Sequence, residues 1–227
     1  MISLRPRWIT AALLIALVLT GCSSTGAVSN PSTSPDGTSE SDLEALYWAR
    51  QDSARSNFTK ADVQFMTMMI THHAQALVMS DLADSNGASE QVQTLAARII
   101  NAQRDEINTM QRWLRTREQP VPEVHIDGLT LEVNGKSVHG MDMAGILTQA
   151  QIDELSAAQG VEFDRLFLTY MIEHHRGAVT MVDTLFSTDG AAQDEAAFKL
   201  ASDINADQKT EIARMKQMLD ALPNTDS

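Results

Sequence analysis

A single cysteine, Cys22, stands among the 227 residues. No disulfide can therefore close within the chain, and no thiolate cluster can hold zinc. Aromatic residues make up only 5% of the sequence, and 17 basic residues face 30 acidic ones, for a net charge of −13. Such a surface repels nucleic acid and anionic lipid and attracts cations, so a nucleic-acid partner is not expected. Also missing are a phosphate-cradling glycine loop, a Ser-His-Asp or Cys-His grouping and a cofactor motif, so the chain is not expected to be an enzyme. The histidine doublets lack glutamates three residues before them; Met69, Ile70, Met171 and Ile172 hold those places. That argues against di-iron carboxylate chemistry. No apolar run is long enough for a comfortable membrane span; the longest, Ile9 to Leu19, is too short.

What is present is a repeat. His72-His73 lies in DVQFMTMMITHHAQALVMSDLA, and His174-His175 lies in DRLFLTYMIEHHRGAVTMVDTL. Sliding the first run forward by 102 residues brings Asp62 onto Asp164, Phe65 onto Phe167 and Met69-Ile70 onto Met171-Ile172. Met79 then meets Met181, and Asp81 meets Asp183. A second match follows each doublet: Gln103, Glu106, Ile107, Met110 and Leu114 correspond to Gln208, Glu211, Ile212, Met215 and Leu219. The chain therefore reads as a duplication, each half a long helix hairpin.

The amino terminus reads as an address. Arg5 and Arg7 precede the apolar run, and Leu19-Thr20-Gly21-Cys22 resembles the cleavage site of a bacterial lipoprotein signal. This implies a signal peptide over 1–21, lipidation of Cys22 and a membrane partner through that lipid. Residues 22–41 are Ser-, Thr-, Pro- and Gly-rich and read as a flexible tether.

A duplicated His/Met domain is expected over 42–222, with halves of about 42–118 and 146–222 and a connecting insert at 119–145. A short helix from Leu43 to about Ser53 opens it. Thr59 with Asp62 marks the start of a helix running to about Ser85, stopped by Asn86-Gly87. Ser89 caps a second helix to about Arg117. In the insert, Leu129 to Val133 alternates and Asn134-Gly135 signals a turn, so a small hairpin or loop is expected. Thr148 with Gln151 caps a short helix; the second doublet helix runs from Val161 to about Ser187, and the last from Ala192 to Leu222. The fold class is all-α: a ferritin-like four-helix bundle of two helix hairpins, each preceded by a short helix.

At about 100° per residue, the two histidines of a doublet diverge. His73 and His175 fall on the inward stripes, where Gln103 and Gln208 on the partner helices are their expected hydrogen-bonding partners. His72 and His174 fall at the bundle's edge beside methionines, which makes them candidates for exchangeable metal. Twelve methionines, mostly in the repeats, supply soft thioethers. Thioether with imidazole suits copper, the cuprous ion above all. A structural His–Gln network without metal is the other reading. In the insert, His139-Gly140-Met141-Asp142-Met143 offers another imidazole and two thioethers, which an extended chain would place on one side. His125 reads as an ordinary surface residue.

The doublet runs, the Gly-Met loop before LTQAQIDELSAAQGVEFDRLFL, and the repeated Gln-x-x-Glu-Ile-x-x-Met pattern resemble the domain-of-unknown-function family 305, over about Asp62 to Leu222. The resemblance implies a ferritin-like bundle, secreted or lipid-anchored, with a role in copper binding in some members. It carries ligand roles onto His72, His73, His174, His175, Met69, Met171, Met79 and Met181. The family loop is often Met-Pro-Gly-Met; here His139, Met141 and Met143 stand instead. Together these readings lead to an extracytoplasmic, membrane-anchored protein that binds, buffers or hands on copper. A homo-oligomer or a copper-handling partner would fit that role.

Overall fold

The structure, a computed structural model, describes residues 39–223. The expected signal segment, Cys22 and most of the expected tether lie outside the described residues. The chain divides between Leu43 and Glu44, inside the first helix, and the bundle and its sheet belong wholly to the second unit.

Six helices and a small sheet run in order: α1 (Glu40–Ser56), α2 (Lys60–Ser85), α3 (Glu90–Thr116), β1 (Val124–Asp127), β2 (Thr130–Val133), β3 (Lys136–Ser137), α4 (Gln149–Ala157), α5 (Gly160–Phe186) and α6 (Glu195–Asp220). Helices α2/α3 and α5/α6 form the two hairpins, and α2 also packs on α5 and α3 on α6. This is the duplicated four-helix bundle, ferritin-like in architecture. Among the described residues no helix is long and apolar enough to cross a membrane.

The helix starts follow from their caps. Thr59 accepts from the Asp62 amide while the Asp62 carboxylate accepts from the Thr59 amide at 2.7 Å, a closed capping box; Thr148 and Gln151 repeat it at α4. The repeated aspartates also tie the halves together. Asp62 accepts from the Ala192 amide at 2.7 Å, at the turn between α5 and α6, and Asp164 accepts from the Ser89 amide at 3.1 Å, at the turn between α2 and α3. Each doublet helix thus anchors the other half's hairpin turn.

Helices α2 and α5 bury residues on most of their circumference, whereas α3 and α6 bury one stripe. The doublet helices are therefore the interior pair. Two apolar clusters form the core. One holds Met79 and Met171 with Phe163 and Phe167; the other holds Met69 and Met181 with Phe65 and Trp113. Each pairs a methionine before one doublet with the methionine after the other, as antiparallel packing of a repeat requires.

The insert is richer than a hairpin. Three antiparallel strands run in the order β1-β2-β3. Asn134 and Gly135 take φ of 52° and 71° between β2 and β3, the left-handed pair a tight hairpin turn demands. Leu131, Val133 and Val138 close the sheet onto Ala74 and Val78 of α2.

Candidate metal centre

Between the two apolar clusters lies a polar layer. His72, His73, His174 and His175 are all completely buried. The expected division into inner and edge histidines does not hold: His72 and His174 are not at the edge. Their rings lie against each other as a tilted pair, with centroids 3.8 Å apart and planes inclined by 35°. The reason is the α2–α5 contact, which turns the flank of each doublet helix into interior.

All four Nε2 atoms have acceptors. His72 donates to the Ala144 carbonyl at 3.2 Å, and His174 donates to the His72 carbonyl at 3.0 Å. His73 bonds the Glu106 carboxylate at 2.6 Å, and His175 bonds that of Glu211 at 2.7 Å. The expected partners, Gln103 and Gln208, do not make these bonds. A carboxylate one turn further along α3 and α6 reaches the ring instead, and a charged acceptor makes the stronger bond. Both amide atoms of Gln103 and the oxygen of Gln208 have no hydrogen-bonding partner among the described residues.

With each proton placed on Nε2, the Nδ1 positions carry the lone pairs. All four Nδ1 atoms are buried and without a hydrogen-bonding partner among the described residues. Burial, helped by the neighbouring imidazoles, holds His72 and His174 well below the usual histidine range, so both are neutral near pH 7. Four buried imidazole lone pairs, two of them on rings backed by carboxylates, are nitrogen donors that could serve a metal ion. Met69 and Met171, fully buried, stand one turn before His72 and His174. The soft donors fit a soft ion.

The donors are not gathered into a finished chelate. Among the described residues no three His, Cys, Asp or Glu side chains are grouped to hold a metal.

The loop after β3 closes the layer. Gln75, on α2, accepts from the Leu147 amide at 2.8 Å and donates to the Leu147 carbonyl at 3.0 Å and to His139 Nδ1 at 2.8 Å. His139 Nε2 donates to the Leu129 carbonyl at 3.0 Å. Both ring nitrogens of His139 are thus engaged in holding the loop. Opposite Gln75, the loop backbone lies on Gly177 of α5; a Cβ there would stand 2.1 Å from the Ala144 oxygen. These two contacts deliver the Ala144 carbonyl to His72. The loop is turned rather than extended, so Met141 is exposed while Met143 packs into the core. The two sulfurs therefore do not share a side as an extended chain would have them.

Met143 lines a pocket of about 270 Å³ between the amino-terminal half of α2 and the carboxyl-terminal half of α5, together with Met68, Met181, Asp142 and Ala144. Met68, Glu106, Glu211, Gln75 and Gly177 were not among the sequence-derived site residues. For Glu106 and Glu211 a signal existed: both recur in the repeated partner-helix pattern. His125 lies on the outer strand β1, exposed.

Residues 62–219 match the family described as a domain of unknown function, DUF305. Among solved structures, a DUF305 fragment from Deinococcus radiodurans is 29% identical with a TM-score of 0.60, covering 73% of this chain and 99% of the other. A DUF305 protein from Streptomyces coelicolor, inferred to be secreted, is 27% identical with a TM-score of 0.58, covering 70% and 92%. CopM in its Cu(II)-bound form is 32% identical with a TM-score of 0.54, covering 70% and 95%; CopM has also been solved with Cu(I) and with Ag. A comparison with curated proteins finds no match.

Proposed function

This chain belongs to the DUF305 family, and from that footing we propose that it is an extracytoplasmic copper-binding protein that buffers or hands on the ion through histidine and methionine side chains. The observation that carries this reading is the set of four buried imidazoles with engaged Nε2 and unpartnered Nδ1 atoms. His72, His73, His174 and His175 supply nitrogen; Met69 and Met171, one turn before His72 and His174, supply sulfur, with Met79 and Met181 two turns after them on the same helices. Glu106 and Glu211 fix the tautomers of His73 and His175. The copper- and silver-bound forms of CopM support the choice of ion. Of the insert residues, Met141 and Met143 keep free sulfurs for a transient contact, while His139 serves the loop. The role is binding rather than catalysis. Residues 1–21 act as the export signal and lipidated Cys22 as the membrane anchor; the inferred secretion of the Streptomyces coelicolor relative supports an extracytoplasmic location.

Titrating the domain with Cu(I) and with Cu(II), wild type against His72→Ala and His174→Ala, tests the reading. A loss of tenfold or more in Cu(I) affinity is expected; unchanged affinities in both variants remove the histidine layer from the function. The short His73–Glu106 and His175–Glu211 bonds favour a second reading, a purely structural buried network. It predicts that the same variants lose thermal stability equally with and without copper.

A further inference from the structure

The pocket beside the loop owes its existence to an asymmetry in the duplication. Gln64, Met68, Thr184 and Thr188 line it. Shifted by the 102-residue repeat, those positions are Leu166, Tyr170, Leu82 and Asn86, and in that half the seat is filled by α4. Ile152 and Leu155 of α4 belong to the core cluster against which Leu82, Leu166 and Tyr170 pack. Asn86 donates to the carbonyls of Ser156 and Ala158, each at 2.8 Å, and the Tyr170 hydroxyl donates to the Glu154 carboxylate. In the other half, Thr188 and Met68 stand where Asn86 and Tyr170 would be. The helix at the corresponding chain position, α1, leaves Leu46, Tyr47 and Trp48 exposed. One seat is covered and its counterpart is open.

What the open seat displays is sulfur. Met68 replaces the tyrosine, Met181 lines the pocket with it, and the Gln75- and Gly177-held loop adds Met143 with Asp142 beside it. Met68 and Met143 are half-buried and Met181 is 9% exposed, so the thioethers are reachable yet sheltered from bulk water. Three neutral thioethers around one small pocket select a soft monovalent d10 cation over hard or divalent ions, and a single carboxylate offsets its charge. The pocket wall also contains Ala144, whose carbonyl receives the His72 proton. It therefore adjoins the histidine layer.

We propose that Met68, Met143 and Met181, with Asp142, form an acquisition site for a soft monovalent cation, distinct from the buried histidine layer and leading to it. It rests on the reading of the chain as a soft-metal binder, and assigns it a port. The test uses the full chain labelled with 13C-methyl methionine and titrated with Ag(I), which has no redox chemistry to confuse the spectrum. The methyl signals of Met68, Met143 and Met181 are expected to shift together within the first equivalent, before those of Met69 and Met171. Met68→Leu, which keeps the side chain's volume, is expected to lower Ag(I) affinity at least tenfold and leave the other methyl signals in place. Shifts confined to Met69 and Met171 overturn the port while leaving the histidine layer standing. No methionine shift together with no Ag(I) binding by calorimetry overturns both. Unchanged affinity in both Met68→Leu and Met143→Leu overturns the port alone.

Discussion

His174 donates its Nε2 proton to the backbone carbonyl of His72 at 3.0 Å while the two rings lie against each other, 3.8 Å apart. The two residues occupy the same place in the repeat, yet the contact is one-sided. His72 sends its own proton to Ala144 in the loop, not to the His174 carbonyl. The insert breaks the symmetry of the duplication at its centre.

Gln103 has a buried amide with no hydrogen-bonding partner among the described residues. Replacing it by leucine removes that unsatisfied group, so Gln103→Leu is expected to stabilise the metal-free protein by about 1 kcal/mol. Chemical denaturation measures this. A clear loss of stability would mean that the amide does bond a histidine.

Stability should fall as pH drops through the histidine range. His72 and His174 have folded pKa values pushed below the unfolded value near 6.5. The unfolded chain therefore binds more protons below that pH, and stability rises with pH until about 6.5 and is level above. Two such groups give a slope of up to about 2.7 kcal/mol per pH unit. Unfolding curves between pH 5 and 7 read it, and His72→Gln should flatten it by about half.

Glu106→Ala leaves the Nε2 proton of buried His73 without an acceptor. A destabilisation of about 1–3 kcal/mol is expected. Copper affinity should fall about 10–100-fold, as for loss of other carboxylates behind metal-bound imidazoles. Glu211→Ala should do the same through His175. Paired calorimetric unfolding and copper titration would separate the two effects.

Gly177→Ala places a Cβ 2.1 Å from the Ala144 oxygen, with backbone on both sides of the contact. The loop must move, taking the acceptor of His72 with it. A loss of more than about 2 kcal/mol is expected, among the larger single-site effects. Hydrogen exchange should rise at Ile146 and Leu147 while α3 and α6 keep their protection.

Much of the site was legible in the chain before folding was considered. The repeat located both doublets, their flanking methionines and the partner helices, and the capping boxes at Thr59 and Thr148 set two helix starts. The inward direction of His73 and His175 also followed from helical periodicity. Their partners did not, because glutamine and glutamate lie one turn apart on the same face, and which one meets a ring depends on the axial offset of two helices. The insert was readable as the alternation of Leu129 to Val133 with a turn at Asn134-Gly135; the sequence reading missed the second tight turn, at Gly128-Leu129, which adds β1 to the other side of β2.

By itself, then, the sequence determined the duplication, the helices and most of their ends, and the presence of soft ligands in an acidic chain, since these are local properties of residue type and spacing; the start of α6 at Glu195 rather than Ala192 was not among them. The tertiary structure alone decided that His72 and His174 are buried against each other. Their faces are flanks in a lone hairpin and become interior only when α2 meets α5. It also decided that one repeat's seat is filled by α4 and the other left open, with Met68 in it. Equivalent positions in a repeat carry the same pattern, but what covers them depends on the path of the connecting chain.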